Sequence, residues 1–317
     1  METTLIHLLE KNDDLLIWGI LSGNEKATHI LERNLDKINW YSLSSNPNAI
    51  HILNKNPEKI NWAYLSGNPN AIPLLKKNPE KINWCHLSSN PNAISLLEKN
   101  QDKIDWTELS GNPNAIHLLK KNHNKIDWSM LSCNSNTSAI RLLKKNLHKI
   151  DWQNLSMNQN ANSTELLTKN QDKINWRMLS ENPNAIHLLE KNQDKIDWCY
   201  LSSNPSAIHL LEKNQDKIDW FWLSSNPNAI HLLEKNPEKI DWYELSSNSN
   251  AIHILEKNPE KIVWEKFIEN PSIFDKRVNY DYLKKRMDVF REELMMKCMH
   301  PNKLERWIEM GGDIDEF

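Results

Sequence analysis

Histidine returns to one place in the chain many times: His7, His29, His51, His117, His187, His209, His231 and His253. Imidazole is the commonest metal ligand, but a metal centre needs several donors about 2 Å from one ion. Stacked units would present these histidines roughly 9–10 Å apart, so the spacing predicts a surface stripe. The cysteines Cys85, Cys133, Cys199 and Cys298 are far apart and lack CxxC spacing. They read as free thiols of a reducing compartment. Ser66 has an equivalent in every unit, which marks it as a structural helix-end hydrogen bonder. HExxH, GxSxG, phosphate-loop and dinucleotide signatures are all missing. An enzyme is therefore not expected, and neither is a cofactor, a metal or a small-molecule substrate.

Two other sets of residues could make contacts. The pair after each repeated tryptophan varies freely, as in Tyr41-Ser42, Thr107-Glu108, Arg177-Met178, Cys199-Tyr200, Phe221-Trp222 and Tyr243-Glu244. Such scatter fits either neutral drift on a solvated edge or a contact face varied over a fixed scaffold. Aromatic side chains favour the contact face, since exposed Tyr and Trp are typical binding anchors. Tyr200, Phe221, Trp222 and Tyr243 fall in three successive units and form the candidate partner-binding patch. The second set is basic. Lys120, Lys121, Lys125, Arg141, Lys144, Lys145 and Lys149 stand against only Asp127 between 120 and 150. This stretch is either a solvated face or a grip for nucleic acid or an acidic protein.

A regular frame must carry these positions. Tryptophan recurs from Trp18 to Trp264, at 22-residue intervals nine times and 24-residue intervals twice. Self-similarity at such a period is the signature of stacked repeats. Each unit holds helix-start signals. Asn46-Pro47 places a cap before a residue suited to the first helical position, and a helix of about 8–10 residues should follow, to about Lys55. Asn56 could end it in the left-handed conformation. Pro57 then begins a shorter, 3₁₀-like segment leading to Asn61, a second cap, and Trp62. A leucine-rich repeat would need a short strand, and Trp-x-x-Leu-Ser-x-Asn-Pro offers no alternating apolar run. The tryptophans, flanked by Ile and Leu, are expected to form a buried ladder. The fold predicted is all-α: an elongated solenoid of 22-residue repeats over 1–268, each a short α-helix plus a shorter α or 3₁₀ helix. A C-terminal helical cap and acidic tail are expected over 269–317.

Composition agrees. The net charge is −3 with 26% charged residues, so the whole molecule is not a basic nucleic-acid binder. Six glycines are too few for a hairpin-rich β fold. No apolar run approaches a membrane span and the N-terminus lacks a secretory pattern, which predicts no membrane partner and a cytoplasmic location.

The phrase Asn-Pro-Asn-Ala-Ile-His-Leu-Leu-Glu-Lys-Asn at 182–192 and 226–236, joined to Lys-Ile-Asp-Trp-x-x-Leu-Ser, resembles tandem-repeat proteins of large and giant DNA viruses. The ending from His300-Pro301 through Gly311-Gly312-Asp313 is similar to the tail many of them carry. The resemblance implies a viral origin, and with it the host-cell cytoplasm or the virion as location. It carries no activity, cofactor or site residue. The expectation is a non-enzymatic scaffold for a protein partner of unknown identity. Nucleic-acid or ribonucleoprotein binding through 120–150 and a structural role in the virion are the alternatives.

Overall fold

The computed structural model describes residues 15–274. The C-terminal cap expected over 269–317 lies almost wholly outside them, as does His7. The described residues form an all-α solenoid without strand. In a typical unit Asn61 caps a six-residue helix, Trp62–Gly67. A turn through Asn68-Pro69-Asn70-Ala71 leads to a second six-residue helix, Ile72–Lys77, and a 3₁₀ turn, Pro79–Lys81, closes the unit. The tryptophan segment is thus a full α-helix, and the Asn-Pro helix is shorter than its capping signals suggest. Its end also differs from expectation. Asn56 has φ −133°, outside the left-handed region, and its side-chain amide donates to the Ile52 carbonyl at 2.9 Å. That bond satisfies one of the carbonyls a helix end leaves open.

A six-residue helix is too short to be stable alone, so the packing between units decides the fold. Leu65, Ala71 and Leu75 are fully buried, as are their equivalents along the array. Between them runs a polar ladder. The buried Asn68 donates through its amide to the carbonyls of Ser44 and Asn46, one repeat earlier, at 3.1 and 3.0 Å. Its side-chain oxygen accepts from the Asn70 backbone at 3.0 Å. Ser66 donates to the Trp62 carbonyl at 2.7 Å and accepts from the Asn83 backbone N–H of the next repeat at 3.0 Å. Nearly the same bonds recur at every rung, which is how buried polar groups are kept satisfied.

The tryptophans are not the buried ladder expected of them. Trp18 is buried, but Trp40 to Trp242 are half-buried and Trp264 is exposed. Their rings meet lysines instead: Lys81 lies 4.6 Å over Trp62 and Lys103 4.8 Å over Trp84, each from the 3₁₀ turn that closes the same repeat. A lysine stem can cover an apolar ring while its ammonium stays wet, and the charge is attracted to the ring face.

Neither 24-residue interval interrupts the ladder. The two extra residues lengthen the second helix, to Thr137–Lys144 in one unit and Ala161–Lys169 in the next. Across the first, Asn158 still reaches the carbonyls of Ser132 and Asn134 at 2.8 and 3.1 Å, and across the second Asn182 reaches those of Ser156 and Asn158 at 3.0 Å each. Insertion is tolerated there because the Trp helices pack tightly on one another all along the array, while the second helices of neighbouring units approach less closely.

Within the unit 13–274, the first and last repeats touch. The Lys26 ammonium donates to the Pro271 carbonyl at 2.8 Å. Lys26 stands where other repeats hold Asn48 or Asn70, and Asn70 donates to the Pro47 carbonyl of the repeat before it at 3.0 Å. In this bond the last repeat stands to the first as each repeat stands to the next, with a longer side chain spanning the join. Spin labels on Glu25→Cys and Ser272→Cys, with the native cysteines changed to serine, should therefore report a short, narrow distance distribution by pulsed electron resonance. A stack with separated ends would place them roughly 100 Å apart at ordinary helix spacing.

Candidate interaction face

The variable pair after each tryptophan occupies the open side of the Trp helix. The helix cap, Asp197 or Asp219, accepts from the backbone N–H of Tyr200 or Trp222, fixing the first turn. Leu201 and Leu223 anchor the other side in the core. The ring positions are thereby set at one repeat's spacing. Tyr200 and Trp222 stack across the step, with centroids 6.4 Å apart and planes 19° from parallel. Phe221 meets Trp222 edge-on at 5.3 Å. The Arg177 guanidinium lies 4.6 Å over the other part of the run, on Tyr200, and donates to its hydroxyl. At the far end Lys266 lies 5.3 Å over Tyr243.

Of the four residues singled out in sequence, Tyr200 and Phe221 are joined through Trp222, while Tyr243 meets Lys266. Phe221, Trp222 and Tyr243 are 42, 38 and 45% exposed, while Tyr200 is half-buried between its neighbours. Arg177 and Lys266 belong to the same row and were missed, although their spacing from Tyr200 and Tyr243, 23 residues, is one repeat plus one position. Three further units carry a smaller version, with Tyr41 edge-on to Tyr64 at 6.1 Å and Tyr64 tilted against His86 at 6.0 Å.

Charge gathers around the larger patch. Asp197, Asp219 and Asp241 cap its three helices. Glu244 follows Trp222 by one repeat, and burial raises its carboxyl above the ordinary range while nearby Lys266 opposes that shift.

The seven basic residues are not brought to one point. Lys125 and Lys149 lie over Trp106 and Trp128 at 4.6 and 4.7 Å, the framework position seen in other repeats. Lys144 pairs with Glu165 at 2.8 Å, and its hydrogen bond holds that carboxyl below the usual range. Lys120, Lys121, Arg141 and Lys145 remain exposed, on the second helices. Lys120 lines a shallow groove with Pro113, His117, Asn136 and Ser138, beside the first lengthened helix.

The histidine stripe is built by pairing between repeats. His51, His117, His209, His231 and His253 each meet a glutamate of the previous unit at 2.7–3.0 Å. Among the described residues no three His, Cys, Asp or Glu side chains gather as a metal site. Cys85, Cys133 and Cys199 are free, with their thiols pushed up chiefly by burial. No helix of the described residues is long and apolar enough to cross a membrane.

Frame and face together define a helical-repeat protein that presents a variable aromatic surface. A family model described as periplasmic copper-binding protein (NosD) matches residues 46–253, about two-thirds of the chain, and on that extent the chain belongs to this family by sequence. The match is weak, and both its ends fall inside the repeats. No curated protein and no solved structure matches.

Proposed function

We propose that the chain is a non-enzymatic scaffold whose Trp-helix face binds a protein partner, with Tyr200, Phe221, Trp222 and Tyr243 as anchors. One observation carries this: the Arg177–Tyr200–Trp222 row, with Phe221 against it, leaves large aromatic surface exposed on a frame that otherwise repeats almost unchanged. Rigid aromatic side chains supply most of the binding energy in protein interfaces, and repeat arrays vary such positions over a fixed core. The resemblance to repeat proteins of large DNA viruses supports a search for the partner in infected cells or virions. Copper, named in the family's description, is not assigned here, because the paired histidines each take a single glutamate of the previous repeat.

The test is affinity capture from infected cells with wild type and with Tyr200→Ala/Trp222→Ala/Tyr243→Ala. The triple variant should fold and lose the wild-type partner by more than about a hundredfold in affinity, as expected when several anchors go together. A folded triple variant that keeps every wild-type partner overturns the proposal.

Nucleic-acid binding is the second reading, favoured by Lys120, Lys121, Arg141 and Lys145, which show no acidic partner among the described residues. A gel shift that weakens steeply with salt would favour it.

A further inference from the structure

The aromatic row has a charge pattern that narrows the partner. Lysine nitrogens lie 4.4–5.3 Å over nine of the chain's twelve repeated tryptophans: Trp18, Trp62, Trp84, Trp106, Trp128, Trp176, Trp198, Trp220 and Trp242. The variable face follows the same rule at its two ends, with Arg177 over Tyr200 and Lys266 over Tyr243. Trp222 is an additional tryptophan outside the repeated set. It is exposed, and among the described residues no lysine or arginine lies over its ring, as is also true of Trp40, Trp152 and Trp264 in the frame. Trp is the strongest of the aromatic side chains at holding a cation.

The surroundings are acidic. One face of the Trp222 ring is taken by Tyr200. The next repeat carries Glu244 at the equivalent position, as Trp222 is to Tyr200. Asp219 and Asp241 cap the helices on either side of that step, accepting from the backbone N–H groups of Trp222 and Glu244, and Asp219 also meets the Cys199 thiol. Of the ten equivalent caps from Asn39 to Asp241, four are neutral (Asn39, Asn61, Asn83 and Asn175), Asp105, Asp127 and Asp151 are acidic in mid-array, and all three at the larger patch are acidic. Either residue type can cap a helix, so capping alone does not call for the carboxylates beside the larger patch. A nucleic acid would meet repulsion here, and an uncharged peptide would leave the acids without complement.

We infer that this face takes an extended peptide bearing an arginine or lysine side chain, seated on the Trp222 ring with Glu244, Asp219 and Asp241 around it. The inference rests on the protein-binding reading of the face and adds the chemistry of the partner. Arg177 on Tyr200 is an internal example of the contact.

The experiment uses the full chain and three fluorescein-labelled peptides of Gly-Ser spacing, carrying arginine, glutamine or glutamate at the same positions, followed by fluorescence anisotropy. The arginine peptide should bind at least roughly tenfold more tightly than the glutamine peptide, and the glutamate peptide should not bind. Trp222→Ala and Glu244→Gln should each weaken the arginine peptide by roughly tenfold, with unchanged helical circular dichroism, and Trp222→Phe should recover part of the loss. Equal binding of arginine and glutamine peptides, no binding of either, or indifference to both substitutions overturns the inference. If the peptides fail while the triple variant still loses its partner in infected cells, the scaffold stands and only the cationic specificity falls. If a single-stranded oligonucleotide binds and is lost in Trp222→Ala, the face is a nucleic-acid platform and both are overturned.

Discussion

Asn112→Ala should destabilise the array by about 2–5 kcal/mol, although the residue touches no aliphatic core side chain through its amide. The side chain is buried and makes three bonds, two of which join it to the previous repeat. Its amide donates to the carbonyls of Ser88 and Asn90 at 3.0 Å each, and its oxygen accepts from the Asn114 backbone at 3.0 Å. Alanine leaves those buried groups short of partners, and each such group costs about 1–3 kcal/mol. Asn90 retains a bond from Ala93 to its carbonyl, which holds the total below the sum of three full penalties. Asn112→Asp should be no better, because a carboxylate keeps the cap but cannot donate to two carbonyls and would be charged in a buried place. Asn114→Ala is the control. Its amide bond to the Pro91 carbonyl, at 2.9 Å, lies at the surface, where a hydrogen bond is worth about 0.5–1.5 kcal/mol. Urea unfolding followed by circular dichroism separates them. Because neighbouring repeats hold each other, weakening one central interface should also split the transition in two. A single transition with unchanged midpoint for Asn112→Ala would mean the ladder contributes little.

That ladder was partly legible. Two classes of asparagine cap helices in each repeat, and their substitution patterns differ. From Asn39 to Asp241 the residue before the Trp helix is either Asn or Asp, as in Asn83, Asp105, Asp127 and Asn175. Only an acceptor is needed there, and the bonds to His86, Glu108, Met130 and Met178 confirm it. The residue after each Trp helix is Asn from Asn46 through Asn270 without exception. A cap would tolerate Asp or Ser, so invariance there calls for an amide donor as well. The same holds for Asn56 and its equivalents, whose amides close the second helix. The period, the all-helical content and the aromatic face could be read from residue spacing. Two features could not. Trp burial depends on what crosses the ring, and Lys81 over Trp62 is set by three-dimensional stacking. The Lys26–Pro271 contact depends on small rotations accumulated over the array, which no local pattern encodes.

Trp128→Ala should cost about 3 kcal/mol, the low end for removing a core Trp, and Trp222→Ala about 1 kcal/mol. Both rings are partly exposed, so the contrast comes from what each one joins. Trp128 begins a Trp helix in mid-array. Its ring is half-buried, with His123 of the previous repeat edge-on at 5.2 Å and the Lys149 ammonium of its own repeat 4.7 Å above it. Losing the indole therefore opens the space between two repeats and removes the platform on which a lysine stem lies, with a packing cost beyond the lost charge contact. Trp222 contributes a stack with Tyr200 and an edge contact with Phe221. Such pairs are worth about 0.5–1.5 kcal/mol, and the core beneath, at Leu223 and Ser224, is closed without them. Lys149→Met separates the terms: it keeps the apolar stem and removes only the cation, so a loss below about 1 kcal/mol assigns most of the Trp128 effect to packing. Thermal and urea unfolding of the three variants give the comparison directly. If Trp222→Ala proves as damaging as Trp128→Ala, the pair after each tryptophan belongs to the frame, and the aromatic row is a structural seam. If Trp128→Ala is nearly silent, the Leu, Ala and Asn ladder holds the repeats alone, and the recurring tryptophans must be explained by a surface they present together with their lysines.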